Sequence, residues 1–171
     1  MRARTPLTAV AALLAAAAVA APSAGGAAAA ATFSGAGVGP VKLGKTFRSL
    51  RDAGHLGPQM PGCELAGPGA RAAKLKAPLK GFVDLTRQAP RRVAAIALRG
   101  GAKARGVGIG STIPQIRAAF PAATVDHSTE ATFRLTLVKV PEAAGGKFQF
   151  GVDTQTGRAT IVGIPRIRFC E

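Results

Sequence analysis

Val41-Lys42-Leu43-Gly44-Lys45-Thr46-Phe47-Arg48-Ser49-Leu50-Arg51 reads as a short extended segment, a sharp turn at Gly44 and the start of a helix capped by Thr46. Glycine enters positive φ at no steric cost, and a threonine hydroxyl can accept a bond from an orphan N–H of the first helical turn. Phe47 and Leu50 then form a one-sided apolar stripe, and Gly54 closes the helix. Further on, Val107-Gly108-Ile109-Gly110-Ser111-Thr112-Ile113-Pro114-Gln115-Ile116-Arg117 repeats the pattern at an offset of 66 (107 less 41). Val, Gly, Thr and Arg recur identically, and apolar positions 43, 47 and 50 land on 109, 113 and 116. Pro114 suits the first turn of the second helix, Phe120 extends its stripe and Pro121 stops it. The same offset sets Phe82 on Phe148, Arg92 on Arg158, Ile96 on Val162 and Leu98 on Ile164.

Helices this short need a larger surface to pack on, and the intervening segments supply strands. Residues 132–137 alternate polar and apolar, Phe148, Phe150 and Val152 share a face, 153–157 is a hairpin connection and 158–164 the return strand. In the first half 81–86 and 92–98 form the equivalent pair, with 70–75 as the preceding strand. The expected fold class is α+β: two tandem helix-then-antiparallel-sheet repeats, 41–99 and 106–171, forming one continuous sheet with the short helices on one face. Residues 32–40, 54–69 and 100–105 read as linkers.

The chain has 171 residues, 47% hydrophobic and 18% charged, which supplies enough apolar surface to offset the entropy of ordering and excludes an intrinsically disordered chain. Residues 1–31 have the layout of a signal peptide: Arg2 and Arg4 without an acid, an apolar run over 7–21 broken only by Thr8, and a small-residue tract ending in Ala29-Ala30-Ala31. The run is shorter than the roughly 20 residues that span a bilayer. Cleavage between Ala24 and Ala31 is expected, giving a product that is secreted or associated with the cell envelope, with no transmembrane span. The leader takes 2 of the 23 cationic residues and none of the 8 acidic ones, so 21 against 8 leaves +13 on the remainder. Charge of that size attracts polyanions and acidic proteins. Arg71, Lys74, Lys76, Lys80, Arg87, Arg91, Arg92, Arg99, Lys103 and Arg105, with Asp84 the sole acid among them, form the candidate basic binding face.

Cys63 and Cys170 are the only cysteines. Export into an oxidising compartment predicts a disulfide between them, worth ~4–5 kcal/mol in the chain-entropy account of so long a loop. The competing readings, a catalytic thiol or a metal ligand, have no CxxC or CxxH context. No other catalytic constellation stands out. His55 follows Asp52 by three residues, and His127 lies between Asp126 and Glu130, where polar loop positions explain both. Ser34, Ser49, Ser111 and Ser128 lack a nucleophile-elbow context, and Gly106-Val107-Gly108-Ile109-Gly110 lacks the Gly-Lys-Ser/Thr ending of a phosphate loop. Neither a cofactor nor a metal is expected. Without Trp or Tyr, and without a helix-turn-helix or zinc finger, specific nucleic-acid recognition is not expected either.

The tandem pattern resembles exported bacterial modules grouped with beta-lactamase inhibitor protein and with the SmpA/OmlA (BamE-like) family, and secreted actinobacterial proteins of uncharacterised function. Leu43-Gly44-Lys45-Thr46 with Leu50, and Ile109-Gly110-Ser111-Thr112 with Ile116, carry the likeness together with the hairpins that follow. It implies a non-enzymatic protein-interaction module whose sheet surface is the binding face. This chain departs from those modules in lacking an aromatic-rich face, a second pair of cysteines and a lipobox cysteine. The expected function is therefore a non-enzymatic interaction module acting outside the cell or at the cell envelope, with an acidic partner. The alternative is an electrostatic binder of an anionic envelope polymer or membrane surface.

Overall fold

Short β-prone runs separated by glycine and proline make this chain mostly strand, with helix only where an apolar stripe follows a threonine cap. The computed structural model describes residues 30–142 and 146–169. The expected leader up to residue 29 and Cys170 lie outside the described residues. In chain order come β1 (Ala31–Ser34), β2 (Gly37–Val38), β3 (Val41–Lys42), α1 (Phe47–Asp52), β4 (Leu56–Pro61), β5 (Arg71–Leu75), β6 (Lys80–Leu85) and β7 (Val93–Gly100). Then follow β8 (Ala102–Ala104), β9 (Val107–Gly108), α2 (Ile113–Ala119), β10 (Thr124–Asp126), α3 (Glu130–Phe133), β11 (Leu135–Pro141), β12 (Lys147–Asp153) and β13 (Ala159–Ile164).

The fold is mixed α+β with two sheets. The larger has eight strands in the order β10-β11-β12-β13-β7-β6-β5-β4, and the smaller five in the order β3-β2-β1-β8-β9. Both halves of the chain meet where β13 pairs antiparallel with β7, Val162 opposite Leu98. The inner face of the large sheet, with Ile96, Leu98, Phe148, Phe150 and Ile164, packs against Phe47 and Leu50 of α1, Ile116 of α2 and the small sheet's Val38, Val41 and Val107. Phe33 of β1 meets Phe148 edge-on at 5.3 Å and Phe120 meets the same ring from α2's C-terminus at 5.3 Å. Such pairs add about 0.5–1.5 kcal/mol each beyond the area they bury.

Four expectations need correction. One continuous sheet was expected; there are two, because 32–40 and 100–105 are not linkers. They hold β1, β2 and β8, and β1 lies parallel to β8 with Ala31 opposite Ala102. Small residues hid these strands, since Gly and Ala carry little β signal, yet Phe33 and Val38 seal the core. The span 54–69 likewise contains β4 and a short 3-10 turn at Glu64–Ala66. Residues 132–137 are not one strand: α3 ends at Phe133, Arg134 takes φ 53°, and β11 begins at Leu135.

The uniform offset also fails in the middle strands. Val83 and Leu85 face the core in β6 as Phe150 and Val152 do in β12, one residue beyond the offset. Phe82 therefore lies half-buried on the opposite face, whereas Phe148 is fully buried. A one-residue slip reverses a strand's faces, so the two phenylalanines are not equivalent. At the start of each half the two glycine turns make like contacts. Gly44 N–H donates to Val93 O and Gly110 N–H to Ala159 O, both at 2.8 Å, with φ of 79° and 88° at the glycines.

Candidate functional site

The outer face of the large sheet is where side chains left over from the core gather. Register places Ala72, Asp84 and Ala95 in one row across β5, β6 and β7. The next row runs Lys74, Phe82, Ala97, Gly163 and Gln149. Chain leaving β13 at Ile164 folds back over this surface as a strap, residues 165–169. Gly163 makes that crossing possible: a Cβ there would lie 2.3 Å from Ile167 N and 2.4 Å from the carbonyl carbon of Arg166.

Four anchors hold the strap. Ile167 N–H donates to Gln149 Oε1 at 3.1 Å, and Ile167 packs with Leu137 and Ile161 in a small second core. Phe169 stacks on Phe133 with ring centroids 4.0 Å apart. Arg168 Nε reaches Asp84 Oδ2 at 3.6 Å. Phe169 O lies 3.8 Å from Cys63 Sγ. Phe133 precedes β11 and Cys63 follows β4, so one residue touches groups attached at opposite sides of the sheet.

Between the strap and the loop that holds Cys63 lies a cleft of about 640 Å³. Arg71, Arg87, Arg166 and Arg168 line it, and Asp84 is the only acidic side chain among its described lining residues. Asp84 is buried, and burial pushes its carboxyl above the ordinary range, while the charge of Arg168 opposes the rise. That carboxylate therefore serves to hold Arg168. Among the described residues, Arg71, Arg87 and Arg166 have no carboxylate within ion-pair distance. Arg71 is steadied by donating from Nη1 to Ala70 O at 2.9 Å, and Arg87 lies against Gly67. Three guanidinium groups thus face a cleft with a surplus of hydrogen-bond donors. Such forks accept carboxylate or phosphate oxygens in pairs.

The ten residues expected to make one basic face are dispersed. Arg71 and Arg87 line the cleft. Lys74, Lys76 and Lys80 are exposed around the turn joining β5 to β6, and Arg99 is exposed near the end of β7. Arg91 donates to Thr86 O at 3.1 Å and Arg92 to Gly44 O at 2.9 Å. Lys103 belongs to the small sheet, and Arg105 donates to Ala119 O at 3.2 Å with its guanidinium over the Phe120 ring. The cationic run of 71–105 is thus shared among the cleft, the β5–β6 turn, the segment between β6 and β7 and the small sheet. Arg166 and Arg168 were missed because they fall outside 71–105. The alternation Arg166-Ile167-Arg168-Phe169 was the available signal, an apolar side chain toward the sheet at every second position.

The histidines do other work. Asp52 pairs with Arg48 at 3.8 Å. His127 Nδ1 lies 2.6 Å from Glu130 Oε1, and Glu130 also accepts from the Thr136 hydroxyl. Asp126 pairs with Lys139 at 2.6 Å, so this group ties β10 and α3 to β11. Among the described residues no three metal-ligating side chains come together. No protein-family model, curated protein or solved structure matches this chain.

Proposed function

We propose that this is an exported, non-enzymatic binding module that captures an acidic protein partner outside the cell or at its envelope. The cleft carries the proposal: four arginines line it, its one carboxylate among the described residues is committed to Arg168, and Arg71, Arg87 and Arg166 have no acidic partner among those residues. The leader-like layout of residues 1–31 supports export, and the proximity of Cys63 to Phe169 supports a Cys63–Cys170 disulfide that fastens the strap. The paired turns support a two-unit construction related to the exported modules named above. Arg92 donates to Gly44 O in one half, and Arg158 donates to Gly110 O in the other.

A second reading rests on the exposed Lys74, Lys76 and Lys80, which would suit an anionic polymer or membrane surface without shape selection. The test is retention of envelope and culture-supernatant components on immobilised secreted protein, eluted with rising salt, beside an Arg71→Ala/Arg87→Ala/Arg166→Ala variant. A protein retained at high salt and lost from the variant fits the proposal. Release of polymer or lipid at modest salt, equally from wild type and variant, favours the second reading.

A further inference from the structure

Leu65 is the most exposed large apolar side chain among the described residues, at 73%, and it stands at the cleft beside the arginines. A fully polar polyanion gains nothing from it. An isolated exposed leucine is ordinary on a protein surface, but one set into a cleft rich in guanidinium groups gives that cleft a mixed chemistry. Across the cleft, Ile167 and Phe169 of the strap also line it, and Phe169 is only partly buried. The sheet edges do not offer a competing mode of peptide capture. Edge strand β4 carries Pro58 and Pro61, which lack an N–H to pair, and the other edge, β10, is three residues long.

We infer that the cleft binds an extended peptide segment of the partner in which carboxylates flank an aliphatic side chain: the carboxylates seat on Arg71, Arg87 and Arg166, and the aliphatic group packs on Leu65. This rests on the anion-binding reading of the cleft and adds to it the chemistry of the occupant. Arg168 is the positioning residue, since its bond to Asp84 keeps the strap against the sheet and so keeps Arg166 at the mouth of the cleft. Carboxylate and phosphate both satisfy a guanidinium fork; the apolar contact is what separates a peptide from a phosphate polymer.

Fluorescence anisotropy with the secreted protein tests this, using a short labelled peptide alternating Glu and Leu, the same peptide with Ser for Leu, and poly(glycerol phosphate). The Glu/Leu peptide is expected to bind about tenfold more tightly than the Glu/Ser peptide, an advantage that Leu65→Ser abolishes, whereas Arg71→Ala/Arg87→Ala weakens binding of both peptides. Leu65 is exposed, so Leu65→Ser leaves the melting temperature unchanged. Equal binding of the two peptides, indifference to Leu65→Ser, or preference for poly(glycerol phosphate) overturns the peptide inference while leaving an anion-binding cleft. Failure of every anionic probe, or binding unaffected by the double arginine change, overturns the cleft reading as well.

Discussion

The outer surface of the large sheet has two unlike halves. Over β11, β12 and β13 it is closed: Ile167 lies on Leu137 and Ile161, and Phe169 on Phe133. Over β5, β6 and β7 it is open beyond the buried row of Ala72, Asp84 and Ala95, and arginines line the opening. The strands beneath are built alike, so the difference lies in what the chain does after each set. After β7 it runs on through Gly101 into the small sheet; after β13 it turns back over the surface at Gly163. The same architecture thus yields one sealed face and one available face, and the strap that seals the first forms a wall of the second.

The contrast can be broken most severely at the strap's end. If Cys63 and Cys170 are bonded as proposed, Cys63→Ser lowers stability by about 4 kcal/mol and reduction lowers the melting temperature of the wild type but not of the variant. An unchanged melting temperature under reductant removes the bridge from the account. Ile167→Ala, which empties the centre of the small second core, is expected to cost about 2–4 kcal/mol in denaturant unfolding. The exposed Leu65→Ala, at the open face, is expected to cost close to nothing.

Gly163→Ala sharpens the comparison, because the added methyl meets only strap backbone. It is expected to destabilise by about 1–3 kcal/mol and to weaken binding in the cleft. A variant that is less stable yet binds normally would show that the strap is not a wall of the site. Asp84→Asn is milder. Burial already disfavours the charge, so stability stays within about 1 kcal/mol, while loss of the ion pair that positions Arg168 and, through the strap, Arg166 weakens binding of an acidic peptide modestly.

Acid has the smallest and most distributed effect. Hydrogen bonds from Lys139 and then Ser128 hold Asp126 below the usual carboxylate range; Thr136 and then His127 do so for Glu130, and Thr156 for Asp153. The unfolded chain takes up these protons first, so the stability they contribute is present above their ordinary values of 3.8 and 4.5 and is lost as pH falls below those values and through the lowered ones of the folded chain. Asp84 runs the other way: its raised value means its contribution declines as pH rises above 3.8. Melting temperature followed from pH 6 downward is expected to fall. Asp126→Asn should flatten that decline, and Asp84→Asn should not.

The helices and their caps were legible, because an apolar-Gly-x-Thr turn is local chemistry: Thr46 Oγ1 accepts from Ser49 N–H, and Gln115 Oε1 accepts from Thr112 N–H. The small sheet was not, since Gly37-Val38 and Ala102-Lys103-Ala104 form strands only by pairing with distant segments. Phe82 and Phe148 look equivalent in sequence and differ in burial because a single residue decides which face a strand shows. Half of the cleft was visible in the run that holds Arg71 and Arg87. The alternation over 166–169 marks Ile167 and Phe169 as sheet-facing, but not the fold-back that brings Arg166 and Arg168 to the cleft.

Backbone amide shifts in an NMR titration of the secreted protein with the Glu/Leu peptide test the central claim most directly. The account predicts perturbations at Ala72, Asp84 and Ala95 and along residues 166–169, with the small sheet silent. Shifts concentrated at Lys103 and Arg105, or spread evenly over every basic segment, would contradict it.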